Sequence, residues 1–174
     1  MKIAVVGCGA LGSFYGAKLC RLGQDVYFLL RSDYDAVRQN GVAIRSIDGD
    51  FHLQPKCART PDEIGACDLV LIGLKTTADD QFPKLLPPLV GRRTAVVTLQ
   101  NGLGNEEQLA RLFPAEQIMG GLCFVCLSGH RLEPIQKRKF RPLASHAHRF
   151  TAPVCAAGCA LSWTTTSMDS MSGA

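Results

Sequence analysis

Along the first 127 residues, short apolar runs alternate with stretches whose apolar positions recur at helical spacing. That alternation predicts parallel strands joined by crossover helices. Five runs are nearly continuous in apolar residues: 2–6 (KIAVV), 25–30 (DVYFLL), 68–74 (DLVLIGL), 94–99 (TAVVTL) and 117–127 (QIMGGLCFVCL). A strand covered on both faces has no solvent side to mark with polar residues, so these runs point to a sheet with helices on both sides. Between the first two, Leu11, Phe14, Tyr15, Leu19 and Leu22 recur at helical spacing, and Gly23 offers a C-terminal cap. Further helices are predicted over 33–41, closed by Asn40-Gly41, over 79–90, where prolines interrupt, and over 105–112. The stretch 42–57 alternates weakly and reads as a small hairpin over the sheet edge, with Asp48-Gly49 as its turn.

The pattern ends near Pro134, which divides the chain into an expected domain, 1–134, and an unpatterned, disordered or foreign tail, 135–174. Ala, Ser and Thr supply sixteen of the last forty residues, too little apolar bulk for a second core. The formal charge of +4 belongs to this tail: residues 1–134 carry fourteen basic and fourteen acidic side chains. A basic tail on a neutral body argues against a nucleic-acid face built into the fold, and the cluster Lys137, Arg138, Lys139 and Arg141 has only Phe140 as an interleaved aromatic.

The eight cysteines suit a reducing compartment, because a chain this long and apolar needs no disulfide staples. Cys123 and Cys126 form a C-x-x-C with no second pair at zinc spacing, so no metal is expected. The four histidines, His52, His130, His146 and His148, form no ligand set either. Glycines break the first apolar run too early for a signal peptide, and no run reaches the roughly 18 residues that span a bilayer. A cytoplasmic protein is the expectation.

Candidate chemistry centres on Gly7-Cys8-Gly9-Ala10-Leu11-Gly12, set between the first strand and the first helix. Gly7 permits a tight turn, Gly9 lets the backbone approach a pyrophosphate, and Gly12 lets helix and strand pack closely. The helix N-terminus behind them offers free N–H groups and a positive dipole end to the phosphates. The fold class predicted is therefore α/β, a Rossmann-type doubly wound parallel sheet. At the end of the second run, where NAD enzymes commonly place an acid for the ribose 2′-hydroxyl, stands Arg31. A guanidinium pairs with the 2′-phosphate of NADP(H) and finds no such partner in NAD. Ser32 offers an additional hydroxyl donor. The third and fourth runs close with Lys75-Thr76-Thr77 and Gln100-Asn101-Gly102, polar groups on the ligand side of such a sheet. Read alone, Lys75 is equally a surface lysine and Asn101 a turn former.

MKIAVVGCGALG, Arg31, LIGLKTT, TLQNGLGN and QIMGGLCFV, in this order and spacing, resemble the N-terminal domain of the ketopantoate reductase family, the 2-dehydropantoate 2-reductases. The resemblance covers residues 1 to about 134. It implies that Lys75 and Asn101 border cofactor and substrate, with Asn101 able to hydrogen-bond a small 2-keto acid. The implied chemistry is hydride transfer from NADPH to ketopantoate, giving pantoate on the route to pantothenate and coenzyme A. Family members continue into a helical domain carrying a general-acid lysine and a substrate-holding glutamate. Neither has a counterpart here, so the expectation is a truncated cofactor half, inactive alone, with a frame change or truncated reading frame as one origin. A reductase of another branched 2-keto acid and a non-catalytic NADP-sensing or interaction module are the competing readings. Self-association through the sheet edge left open is also expected.

Overall fold

The computed structural model describes residues 1–46, 49–123, 125, 127 and 162–164. Strand β1 (Lys2–Val6) runs into the glycine loop and helix α1 (Ala10–Arg21), and β2 (Asp25–Leu29) returns parallel to β1 in the register Lys2 to Asp25 through Val6 to Leu29. Helix α2 (Tyr34–Asn40) ends at Gly41, whose φ of +69° a side chain would strain. A short antiparallel pair follows, β3 (Val42–Ile44) with β4 (Phe51–Leu53). Next come β5 (Lys56–Ala58), α3 (Pro61–Ile64) and β6 (Cys67–Ile72). A 3-10 turn (Thr76–Gln81) leads to α4 (Phe82–Leu85) and β7 (Val90–Thr98). Helix α5 (Asn105–Ala110), β8 (Ile118–Leu122) and β9 (Ser162–Thr164) complete the described elements.

The main sheet has the order β5-β2-β1-β6-β7-β8-β9, parallel throughout except for the antiparallel β8–β9 pair. Alternation along each strand feeds two cores. Ile3, Val5, Val26, Phe28, Leu30, Leu71 and Val97 face one side with Phe14 and Tyr15 of α1. Ala4, Val6, Leu29, Val70, Ile72 and Val96 face the other, with Ile64, Phe82, Leu86 and Leu109 from the later helices. Helices on both faces make the sheet doubly wound, as the continuous apolar runs require. On the first face the approach of α1 is set by Gly16, where a Cβ would stand 2.6 Å from Phe28 Cε1.

Three expectations change. The weak alternation over 42–57 is not one hairpin: β3 and β4 form it, while Lys56–Ala58 leaves to join the main sheet beside β2, with Leu30 N–H donating to Ala58 O at 2.9 Å. Three residues are too few to announce a buried strand by periodicity. The helix expected over 79–90 shrinks to a 3-10 turn and the four residues of α4, because Pro87 and Pro88 cannot continue it. Strand β7 begins at Val90, earlier than its apolar run, and absorbs the exposed Arg92 and Arg93 in an irregularity where Thr94 Oγ1 donates to Cys67 O.

The outer edge of β8 pairs over Gly120–Leu122 with β9, from the stretch expected to be unpatterned. Asp48, Cys126, His130 and the basic cluster at 137–141 lie outside the described residues, as do His146 and His148. No helix among the described residues is long and apolar enough to cross a membrane.

Candidate functional site

The strand order turns back between β1 and β6, since one continues to β2 and the other to β7. At such a reversal the connections leave to opposite faces and open a crevice beyond the carboxyl ends of the strands. The residues expected to bind cofactor and substrate sit at that end: the glycine loop after β1, Arg31 after β2, Lys75 after β6 and Asn101 after β7.

The three glycines differ in what surrounds them. Gly7 has φ +93°, and a Cβ there would run into the backbone of Gly73 and Leu74. Gly12 is pressed against the Gly7 carbonyl, and a Cβ would also lie 3.2 Å from Val5 Cγ1. A Cβ on Gly9 would meet nothing within 4 Å. Two glycines thus permit internal packing, while the middle one leaves an open cradle at the start of α1. The first-turn N–H groups of that helix have no intrahelical acceptor, its first turn carries no acid, and Lys18 and Arg21 lie in its last turn. These residues fit a bound pyrophosphate. The contact between Gly7 and residues 73–74 also brings the loop carrying Lys75 against the glycine loop.

Cys8 contributes to this cradle through its backbone alone. Its Sγ faces inward, 3.5 Å from Val5 O and 3.6 Å from Leu29 O. Burial, with a smaller contribution from Cys57, holds the thiol well above its ordinary range, so it is a neutral packing group and no nucleophile. Ala10 and Leu11 are half-buried, and Ser13 Oγ donates to Cys8 O at 2.9 Å, tying the helix back onto the loop.

Arg31, Lys75 and Asn101 are all exposed, and no hydrogen bond or ion pair among the described residues engages their side chains. The Ser32 hydroxyl donates to Asp33 Oδ1 at 3.3 Å. Just past β5, the strand next to β2, Arg59 lies over the Tyr34 ring, 4.2 Å from its centroid, and pairs with Asp35 at 2.7 Å.

Sequence reasoning missed a buried polar chain beneath Lys75 and Asn101. Gln100 Nε2 donates to Asp79 Oδ1 at 2.6 Å, Thr98 Oγ1 donates to Gln100 Oε1 at 2.9 Å, and Asn105 Nδ2 donates to Gln100 O and Gly102 O at 3.4 and 3.3 Å. Asp79 and Gln100 are only 9% and 7% exposed, values unusual for an acid and an amide. Four polar residues at two strand ends carry no spacing rule by which a sequence would reveal the set.

A parallel sheet that reverses at β1 and β6, with a glycine cradle and a helix N-terminus at the reversal, defines a Rossmann-type domain of the nicotinamide-dependent oxidoreductases. The model of the ketopantoate reductase PanE/ApbA family matches residues 3–138. The chain therefore belongs to the ketopantoate reductase family. It is similar to the 2-dehydropantoate 2-reductase of a Nostoc strain, with 50% identity over 126 residues that make up 72% of this chain and 40% of that protein. Among solved structures, the 2-dehydropantoate 2-reductase of Geobacter metallireducens superposes with a TM-score of 0.71 at 56% identity, over 72% of this chain and 42% of that one. The enzyme of the same name from Methylococcus capsulatus gives 0.66 at 34% identity, over 72% and 42%. The chain thus spans about 40% of the length of the relatives it matches.

Proposed function

We propose that residues 1–134 form an NADP(H)-binding domain and that the chain is the cofactor half of a 2-dehydropantoate 2-reductase, acting on ketopantoate in pantothenate and coenzyme A synthesis. The observation that carries the choice of NADP(H) is Arg31: an exposed guanidinium at the end of β2, uncommitted to any described partner, where an NAD enzyme would hold an acid. Its fork is free to take a 2′-phosphate by charge-assisted hydrogen bonds. Gly9 and the first N–H groups of α1 hold the pyrophosphate.

The bound cofactor supplies the hydride. Lys75 lies across the strand reversal from the glycine loop and places an ammonium near charge that grows on the keto oxygen. Asn101 offers an amide to hydrogen-bond and orient the 2-keto acid. Dinucleotide binding with little or no turnover is the expected behaviour, because the described residues put no wall around the keto acid to exclude water. The free thiols at Cys8, Cys20, Cys57, Cys67 and Cys123 fit a cytoplasmic setting.

Titration of the purified chain with NADPH and NADH, followed by nucleotide fluorescence, tests the reading. Arg31→Ala should weaken NADPH by roughly 10- to 100-fold, the scale of one or two lost hydrogen bonds between charged groups, and leave NADH unchanged. Equal loss for both nucleotides, or none for either, refutes the assignment of Arg31.

A further inference from the structure

Asn101 and Lys75 stand on loops with little packing of their own. The loop after β7 bends through Gly102 and Gly104, at φ +120° and +89°, and carries Leu103 entirely in solvent. What fixes it lies underneath: the Gln100 side chain, and the Asn105 amide that gathers the carbonyls of Gln100 and Gly102. The loop after β6 tightens at once into the 3-10 turn, where Ala78 N–H donates to Lys75 O at 2.9 Å and the next residue is Asp79. The loops also abut, since a Cβ on Gly102 would lie 3.8 Å from Thr76 Cγ2.

We propose that Asp79 and Gln100 are positioning residues whose buried hydrogen bond locks the loop after β6 to the loop after β7, and so sets the stance of Lys75 and Asn101 toward the nicotinamide end of the cofactor. This inference rests on the nucleotide-site reading above. A buried carboxylate is a poor source of stability, because its desolvation offsets most of what its contacts return and an apolar pair of like volume would hold the loops as firmly. What the polar chain adds is direction. Thr98 donates into Gln100 Oε1, which turns the amide so that Nε2 faces Asp79, and Gln100 N–H donates back to Thr98 Oγ1 at 3.3 Å. The chain is closed: no buried side-chain nitrogen or oxygen among the described residues lacks a partner. The main-chain step from Gln100 to Asn101 then carries that orientation to the surface.

The test uses the full 174-residue chain and two ligands, NADPH and adenosine 2′,5′-bisphosphate, which keeps the 2′-phosphate and lacks the nicotinamide. Gln100→Glu sets two carboxylates against each other, and the double variant D79N/Q100E restores one donor, one acceptor and one charge. Gln100→Glu should weaken NADPH about tenfold and reduce the fluorescence gain of its bound nicotinamide, with the bisphosphate unchanged within about twofold, as expected for one buried hydrogen bond. D79N/Q100E should recover NADPH binding and fluorescence together. Should Gln100→Glu not fold, Gln100→Met breaks the same contact without repulsion and should give the same split between ligands. Parallel loss of both ligands, unchanged NADPH binding in the single variants, or no recovery in a folded double variant overturns the proposal. Failure of the unsubstituted chain to bind even the bisphosphate removes the nucleotide-site reading itself.

Discussion

Gly7 and Gly9 are two residues apart in one loop, yet a single methyl group added at each should have opposite consequences. At Gly7 the methyl meets the backbone of Gly73 and Leu74, which cannot swing aside as a side chain would, and φ is +93°. Left-handed backbone strain of about 1 to 3 kcal/mol and overpacking of about 1 to 3 kcal/mol together give roughly 2 to 6 kcal/mol. That is a large part of the roughly 5 to 15 kcal/mol that holds a domain folded. At about 4 °C per kcal/mol, the melting temperature of Gly7→Ala should fall by roughly 8 to 24 °C. Gly9 has φ −71° and open space around its Cβ position, so Gly9→Ala forfeits only its place as N-cap, about 0.5 to 1 kcal/mol. It should nevertheless lose at least about tenfold in NADPH affinity, because the methyl points where a pyrophosphate would rest against the backbone. Thermal unfolding followed by circular dichroism and NADPH titration on the same samples separate the two effects. A stable Gly7→Ala would refute the packing argument, and a Gly9→Ala that binds NADPH normally would refute the cradle.

The core and the thiols give two further expectations. Phe82 is 1% exposed and pins the start of α4 behind the loop that carries Lys75; Phe82→Ala should cost about 3 to 5 kcal/mol in urea unfolding, and a loss under about 1 kcal/mol would mean the site collapses around the gap. Burial raises the folded-state value of the Cys8 thiol above its ordinary 9.0, so above about pH 9 the unfolded chain releases a proton that the folded chain keeps. Stability is therefore fully present below pH 9 and falls above it, by up to about 1.4 kcal/mol per pH unit for this group. Cys20, Cys57 and Cys67 are raised by burial in the same direction. Cys8→Ala should flatten part of the slope between pH 8 and 10; an unchanged slope would place the thiol in water.

Much of this protein was legible along the chain because the relevant chemistry is local. The β1-α1-β2 unit follows from apolar period and a closing glycine, and in the loop inside it Gly7 and Gly12 are required by contacts made within that unit or with the residues just past β6, while Gly9 keeps the space beside the backbone open. Arg31 was readable for the same reason: its place at a strand end is set by the length of the run before it. Tertiary structure decided the rest. Lys56–Ala58 is a strand only because the edge of β2 offers it hydrogen bonds, and the stretch 79–90 is mostly not helix because its prolines and the packing of Phe82 leave room for one short turn. Asp79 and Gln100 stand twenty-one residues apart and meet only because β6 and β7 are neighbours in the sheet. A sequence specifies donors and acceptors one at a time. Which of them share a buried bond depends on strand order and register, and those emerge only when the two cores close on both faces of the sheet.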